Sequence, residues 1–205
     1  MGLKQSYTLL APLYDRMVEQ PTRALRKASL ADFEQTLGGI DSSLSRVLIS
    51  GIGTGLDIPH LPKGPEYIGV DLTPTMLKRA EPRSQGHNIR LETGDVMALP
   101  YEDEHFDAVI MHLILAVVPQ PQQALLEAER VLKPGGHLFI VDKFLRPNQK
   151  APLRRLLSPL LGQIATQTNV VFESLLANSY GLKVIKDEPS LASGWFRRII
   201  LRKQT

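Results

Sequence analysis

The chain has 205 residues and contains no cysteine. Disulfides, thiolate metal sites and cysteine nucleophiles are therefore excluded. The few histidines do not show the close spacing of metal ligands, so we expect no metal site. They are His60, His87, His105, His112 and His137.

Long apolar runs are also missing, because no stretch approaches the length of a membrane-spanning helix. Residues 1–13 lack the apolar core of a secretory signal. We therefore expect a cytoplasmic protein. Charge of one sign does not dominate, since the formal net charge is +3 and acids are interspersed throughout, so we expect no nucleic-acid binding. The basic cluster Arg23, Arg26 and Lys27 is interpreted as a solvated helix face, with an anionic membrane surface as the alternative.

Hydrophobic periodicity divides the chain near Arg46. Before it, residues 3–18 have helical spacing that Pro12 interrupts, which predicts two short helical pieces or a kink. From Arg46 onward, apolar strands alternate with helical segments, and this predicts a parallel sheet covered on both faces. Strands are expected at 46–50, 67–71, 89–93, 107–113, 137–142, 182–187 and 196–202, the last two antiparallel, and helices at 22–37, 74–81, 121–132, 150–163 and 170–179.

A glycine-rich loop follows the first predicted strand. Gly51, Gly53 and Gly55 alternate with other residues, and Asp71 ends the second strand. Glycine lets backbone approach a ligand closely, and an acid at the tip of the next strand can accept hydrogen bonds from ribose hydroxyls. Leu56 stands where a dinucleotide fingerprint needs glycine, and no P-loop Gly-Lys-Ser/Thr follows. The pattern predicts a nucleoside-bearing ligand other than a dinucleotide or a triphosphate.

Further motifs follow in order and carry a family resemblance. They are Gly94-Asp95-Val96, Phe106-Asp107-Ala108-Val109-Ile110 and Leu132-Lys133-Pro134-Gly135-Gly136. With the glycine loop and Asp71, this set resembles the class I S-adenosylmethionine (SAM)-dependent methyltransferases. Within that class the chain looks like the type 11 group, which holds ubiquinone/menaquinone C-methyltransferases and bacterial phosphatidylethanolamine N-methyltransferases. The segments that carry this narrower resemblance are Leu10 to Asp15, Asp95 to Pro100, and Val117 to Pro121.

The resemblance implies an architecture. We expect an α/β, Rossmann-like sheet of seven mostly parallel strands with an antiparallel final strand, helices on both faces and an N-terminal helical cap. Residues 1–40 would form the cap, and residues 41–205 the methyltransferase domain.

The resemblance also implies roles for individual residues with SAM as cofactor and S-adenosylhomocysteine (SAH) as product. The glycine loop with Thr54 would pass close to the methionine part, and Asp71 would bind the ribose hydroxyls. Leu72 and Met76 would cover the adenine, with core packing as the alternative. Asp95 and the Val96 amide would bind the adenine edge. Residues predicted to contact the cofactor are Gly51, Gly53, Thr54, Gly55, Asp71, Leu72, Met76, Asp95, Val96 and His112.

One position departs from the family pattern. The family usually carries an acid two residues before the first glycine of the loop, and this chain has Ile49. That acid helps to orient the methionine end of SAM. Its absence puts the contacts of the SAM ammonium in doubt, unless another carboxylate substitutes for it.

Three residues are catalytic candidates. His112 lies at the end of the fourth strand, where an imidazole could serve as a general base, and a buried histidine bonded to backbone is the alternative. Tyr14 and Asp15 belong to a motif that closes over SAM or orients substrate in related enzymes, and packing is the alternative for Tyr14. Lys143 and Arg146 could meet an anionic head-group, while solvent exposure would also explain them.

We expect a methyltransferase acting on a small or lipid-like acceptor, such as a phospholipid head-group amine or a quinone-like ring. A leucine stripe at residues 153–161 could contact the inner membrane face peripherally, and packing on the sheet is the alternative. A thiol or other soft-nucleophile acceptor remains open, as does a non-catalytic SAM-binding, membrane-binding or partner-binding protein. An NAD-dependent oxidoreductase is disfavoured by Leu56. The sequence does not predict the oligomeric state.

Overall fold

The computed structural model describes residues 3–38, 45–145 and 170–205, apart from the side chains of residues 3–17, 192 and 193. All seven strands expected from the sequence are present in these ranges. A 3-10 turn spans Ile58–His60. The helices are α1 (Leu3–Leu37), α2 (Pro74–Ser84), α3 (Pro121–Val131), α4 (Phe172–Leu176) and α5 (Leu191–Gly194). The strands are β1 (Arg46–Ser50), β2 (Glu66–Asp71), β3 (Ile89–Thr93), β4 (Phe106–His112), β5 (Leu132–Lys143), β6 (Leu182–Pro189) and β7 (Phe196–Lys203).

The strands form one sheet in the order β3-β2-β1-β4-β5-β7-β6. β1 pairs in parallel with β2 and β4, whereas β7 is antiparallel to both of its neighbours. The predicted Rossmann-like fold with an antiparallel final strand is therefore confirmed. The strand order reverses between β1 and β4. In open α/β sheets, ligands bind at such a reversal, outside the carboxyl ends of the strands.

Side chains along the strands alternate between two apolar cores, one on each face of the sheet. In β1, Val47 and Ile49 join the core that α1 and α2 cover, while Leu48 joins the core that α3 and α4 cover. This period of two is what a pleated strand buried on both faces requires. Helices on both faces are thereby confirmed.

Helix α1 runs without interruption from Leu3 to Leu37, so the expectation of two separate short helices is wrong, while the alternative, a kink at Pro12, stays a prediction. Proline removes one backbone donor and crowds the preceding turn, but a helix with other stabilising contacts can continue across it. The second half of α1 has such contacts. The Phe33 ring is edge-on to Phe139, with ring centroids 5.4 Å apart, and is 6.3 Å from Tyr67. The second half of α1 thus shares a core with the sheet, and a domain boundary near residue 40 remains a proposal.

Two other boundaries differ from the sequence prediction. β5 begins at Leu132, because Leu132 pairs with Phe106 before a register shift, and the Lys133–Gly136 turn is an irregularity within this strand. Helix α4 is shorter than the predicted segment 170–179. The predicted helix 150–163 lies outside the described residues. No described helix is long and apolar enough to cross a membrane.

Replacing Phe33 with alanine tests whether α1 is integral to the sheet domain. Phe33 is fully buried, so Phe33→Ala should lower the free energy of unfolding by about 3–5 kcal/mol. Urea unfolding followed by circular dichroism measures this change. Gln35→Ala, exposed on the same helix, is the control and should change stability by less than about 0.5 kcal/mol. Equal stability of the two variants would show that α1 does not hold the core together.

Candidate functional site

The glycine loop leaves β1 at the reversal of strand order and turns by left-handed backbone angles. Gly51 has φ +81° and its N–H donates to the Val70 carbonyl at 2.9 Å. A Cβ on Gly51 would lie 2.6 Å from the Ile114 side chain, so only glycine fits there. A Cβ on Gly53, at φ +57°, would meet no atom within 4 Å. Gly53 therefore presents bare backbone to an open space.

Asp71 ties this loop to the start of α2. Its Oδ2 accepts the Gly53 N–H at 2.9 Å, and its Oδ1 accepts the Thr73 N–H at 2.8 Å. Burial raises the pKa of Asp71 above its ordinary value, although these two N–H groups oppose the shift. A carboxylate offers about four acceptor sites, so Asp71 can still accept from a ligand hydroxyl.

A single cavity brings together most of the residues predicted to contact the cofactor. Gly51, Gly53, Thr54, Asp71, Leu72, Met76, Asp95, Val96 and His112 all line it. Gly55 does not line the cavity. A Cβ on Gly55 would lie 2.7 Å from the Ile58 side chain and 2.9 Å from Ala80. The missing side chain of Gly55 instead lets the loop pack against α2. Asp95 fixes its own turn, since its Oδ1 accepts the Met97 N–H at 2.9 Å.

A buried cluster of charged groups forms another part of the cavity wall. Asp57 follows the glycine loop and is 8% exposed. Its Oδ1 accepts from Arg26 Nη1 at 2.7 Å, and its Oδ2 lies 2.9 Å from His112 Nδ1. Arg26 Nε donates to Thr22 Oγ1 at 3.2 Å, and His112 Nε2 lies 3.0 Å from Ser29 Oγ. Helix α1, the glycine loop and the end of β4 therefore meet at one carboxylate.

Asp57 is held in its ionised form. Burial by itself would raise the pKa of Asp57, but His112 and Arg26 outweigh burial and hold that pKa well below its ordinary value. Because an ionised carboxylate only accepts, His112 Nδ1 carries a proton and donates to it. In the neutral ring, Nε2 then accepts from the Ser29 hydroxyl. The predicted His112 thus contacts two side chains rather than backbone.

Ser29, His112 and Asp57 are bonded in the order of a hydrolase triad. Such a triad needs a nucleophile that the substrate can reach. Ser29 is 1% exposed and does not line the cavity. The three groups therefore fix one another in place, and they do not form a nucleophilic site.

The loop after β4 supplies the apolar part of the cavity, including Ile114, Val117 and Val118. It begins at Leu113, which has φ +59° although it is not glycine. Leu113 N donates to the Val141 carbonyl at 2.7 Å, and Ala116 N donates to Asp142 Oδ2 at 3.0 Å. Burial raises the pKa of Asp142 to about 6. These bonds hold a strained backbone beside the cavity, where such strain is commonly found.

The structure does not place every candidate from the sequence at this cavity. The side chains of Tyr14 and Asp15 lie outside the described part, as does Arg146. The Lys143 ammonium lies over the Phe196 ring, 5.6 Å from its centroid, and does not line the cavity. Ile49 is 1% exposed and packs in the core that α1 covers.

Arg26 and Asp57 line the cavity, and sequence reasoning missed both. Arg26 is 2% exposed, so its assignment to a solvated helix face is wrong. A signal was present, because Arg26 shares a helical stripe with Leu30, Phe33 and Leu37. Asp57 gave a weaker signal as a lone acid between Leu56 and Ile58.

Residues 48–140 match the family model described as a methyltransferase domain. A phosphatidylethanolamine N-methyltransferase of Cereibacter sphaeroides is 28% identical over 177 residues, which cover 83% of this chain and 86% of the relative. A ubiquinone/menaquinone biosynthesis C-methyltransferase of Ruegeria sp. is 43% identical over 83 residues, covering 38% of this chain and 33% of the relative. A demethylmenaquinone methyltransferase of Tropheryma whipplei is 35% identical over 138 residues, covering 63% and 56%. The chain thus spans only part of the two quinone-related enzymes.

Solved structures share the fold at low sequence identity. The [4+2]-cyclase SpnF has a TM-score of 0.75 at 19% identity, covering 99% of this chain and 95% of the cyclase. A SAM-dependent methyltransferase from Thermotoga maritima has a TM-score of 0.67 at 21% identity, covering 100% of both chains. These likenesses show the fold alone, and the cyclase illustrates that one fold can host different chemistry. The family-model match and the sequence relatives identify residues 48–140 as a methyltransferase domain of the type 11 group, and they support an enzyme that uses SAM.

Proposed function

We propose that this enzyme transfers the SAM methyl group to a small or amphipathic acceptor, with a phospholipid head-group amine as the first candidate. The observation that carries the proposal is the mixed lining of the cavity. Asp71, Asp95 and the bare backbone of Gly53 are its polar members, while Ile114, Val117 and Val118 are apolar. A polar cofactor and an apolar acceptor can thus share one cavity.

The residues present fit a nucleoside cofactor with an amino-acid tail. The open space above Gly53 leaves room for close approach of a ligand, and Asp71 offers carboxylate oxygens for ribose hydroxyls. We assign Asp95 and the Val96 amide to the adenine edge, and Leu72 and Met76 to its faces. Arg26 Nη2 is buried without a hydrogen-bond partner among the described residues. A buried unpaired donor requires an explanation, and we assign Nη2 to a ligand group.

Bound SAM supplies a methyl group that its sulfonium already makes electrophilic. The protein then has to position the acceptor and exclude water, and a head-group ammonium must first lose a proton to solvent because only the neutral amine has a lone pair for the new N–CH3 bond. Both His112 ring nitrogens are engaged, with Asp57 and Ser29, so we assign His112 to holding the cavity wall rather than to proton removal. The roles of Tyr14 and Asp15 beside the acceptor remain proposals from the resemblance.

The relatives support the choice of acceptor. The relative matched over most of both chains is named for phosphatidylethanolamine, whose acceptor atom is an amine. A quinone-like ring is the second candidate, because the quinone-related enzymes are more identical over shorter segments. Amphipathic sequence patterns at residues 3–18 and 153–161 support peripheral membrane contact as part of the proposal.

Turnover with defined acceptors tests the proposal. The enzyme with SAM and vesicles containing phosphatidylethanolamine should release SAH and yield N-methylated lipid, both measured by mass spectrometry. Phosphatidylcholine vesicles are the control, since their amine is already fully methylated. Product from a demethylated quinol or a thiol, without lipid product, would overturn the amine assignment. Absence of SAH binding in titration calorimetry would contradict the cofactor site itself.

A pair of glycine variants tests the cofactor role of the loop. Gly53 and Gly86 both have positive φ, at +57° and +79°, and a Cβ on either would meet no atom within 4 Å. Gly53→Ala and Gly86→Ala should therefore cost a similar strain of about 1–2 kcal/mol in stability. Only Gly53→Ala should weaken SAH binding, by at least about tenfold, equivalent to about 1.4 kcal/mol. Equal SAH affinity in the two variants would remove Gly53 from the cofactor site.

A further inference from the structure

We propose that Arg26 binds the carboxylate of the methionine part of the methyl donor through its Nη2 group, with Asp57 and Thr22 as positioning residues. The inference rests on the proposed function and deepens it. One nitrogen of the Arg26 guanidinium is a buried donor without an acceptor. Among the described residues, none accepts a hydrogen bond from Arg26 Nη2.

The other nitrogens of Arg26 are already fixed. Nη1 donates to Asp57 at 2.7 Å and Nε donates to Thr22 Oγ1 at 3.2 Å. The Thr22 hydroxyl in turn donates to the Val18 carbonyl at 2.6 Å. The guanidinium is planar, so fixing two of its nitrogens also fixes the direction of the third. Nη2 is therefore held in one orientation before any ligand arrives.

Charge complementarity selects the ligand group. Arg26 is the only permanently cationic side chain among the described residues that line the cavity. The acidic side chains that line it are Asp57, Asp71 and Asp95. The SAM carboxylate is the anionic group of a ligand that also carries an ammonium and a sulfonium. An arginine–carboxylate pair is charge-assisted, and its strength increases where water is excluded.

The position of Asp57 also bears on the missing acid at Ile49. Ile49 packs in the α1-side core, and the same core contains Ile58, the neighbour of Asp57. The carboxylate on this side of the sheet therefore comes from the loop after the glycines rather than from β1. The two Asp57 oxygens accept hydrogen bonds from Arg26 and His112. Asp57 therefore acts on the methyl donor through Arg26.

Calorimetric titration with two ligands tests the proposal. SAH and its decarboxylated analogue differ only in the carboxylate, and the wild-type enzyme should bind SAH about 10- to 100-fold more tightly. Arg26→Lys keeps a positive charge beside Asp57 but loses the planar guanidinium with its fixed N–H donors. This variant should bind SAH about 10- to 100-fold more weakly and the decarboxylated analogue equally well. Arg23→Lys, exposed on the same helix, is the matched control and should leave both affinities unchanged.

Equal wild-type affinities for the two ligands would overturn the proposal, and this result needs no variant to fold. Equal weakening of both ligands in Arg26→Lys would also overturn it, because it would show that Arg26 only supports the cavity. If the wild-type enzyme bound neither SAH nor its analogue, the proposed cofactor site itself would be wrong. Failure of the Arg26 proposal and failure of the proposed function are therefore distinguishable.

Discussion

The Asp57 carboxylate joins three segments that are distant in sequence. It accepts from Arg26 on α1 and from His112 at the end of β4, and it lies on the loop that follows β1. A buried charge of this kind is stable only while its partners remain, and removing one partner typically costs about 3–5 kcal/mol. The cavity therefore keeps its shape because α1, the glycine loop and β4 share one bonded centre.

Around this centre, backbone with left-handed angles is held by side-chain acceptors. Gly51 and Gly53 adopt such angles freely because they are glycines, and Asp71 fixes Gly53 by accepting its N–H. Leu113 has a left-handed angle at a cost in strain, and Asp142 holds the adjoining turn. Each support is a carboxylate at or near the carboxyl end of a strand. Such support lets the site bind a ligand without first reorganising.

The sequence predicted the sheet well, because the signals for strands are local. Apolar runs, glycines with positive φ and acids after strands each depend on a few neighbouring residues, as with Gly51 and Asp71. It failed where tertiary packing decides the outcome. Pro12 reads as a break, yet α1 continues across it, and its second half is anchored by Phe33. Arg26 reads as a surface charge, yet Asp57, more than thirty residues away, draws it into the interior.

The central claim is that one preformed cavity binds SAM, with its ribose at Asp71 and its amino-acid tail at Arg26. A crystal structure of the enzyme with SAH measures this most directly. The account predicts that the ribose hydroxyls lie within about 3 Å of the Asp71 carboxylate and that the SAH carboxylate lies as close to Arg26 Nη2. A bound SAH whose amino-acid tail points away from the Arg26–Asp57–His112 cluster would contradict it.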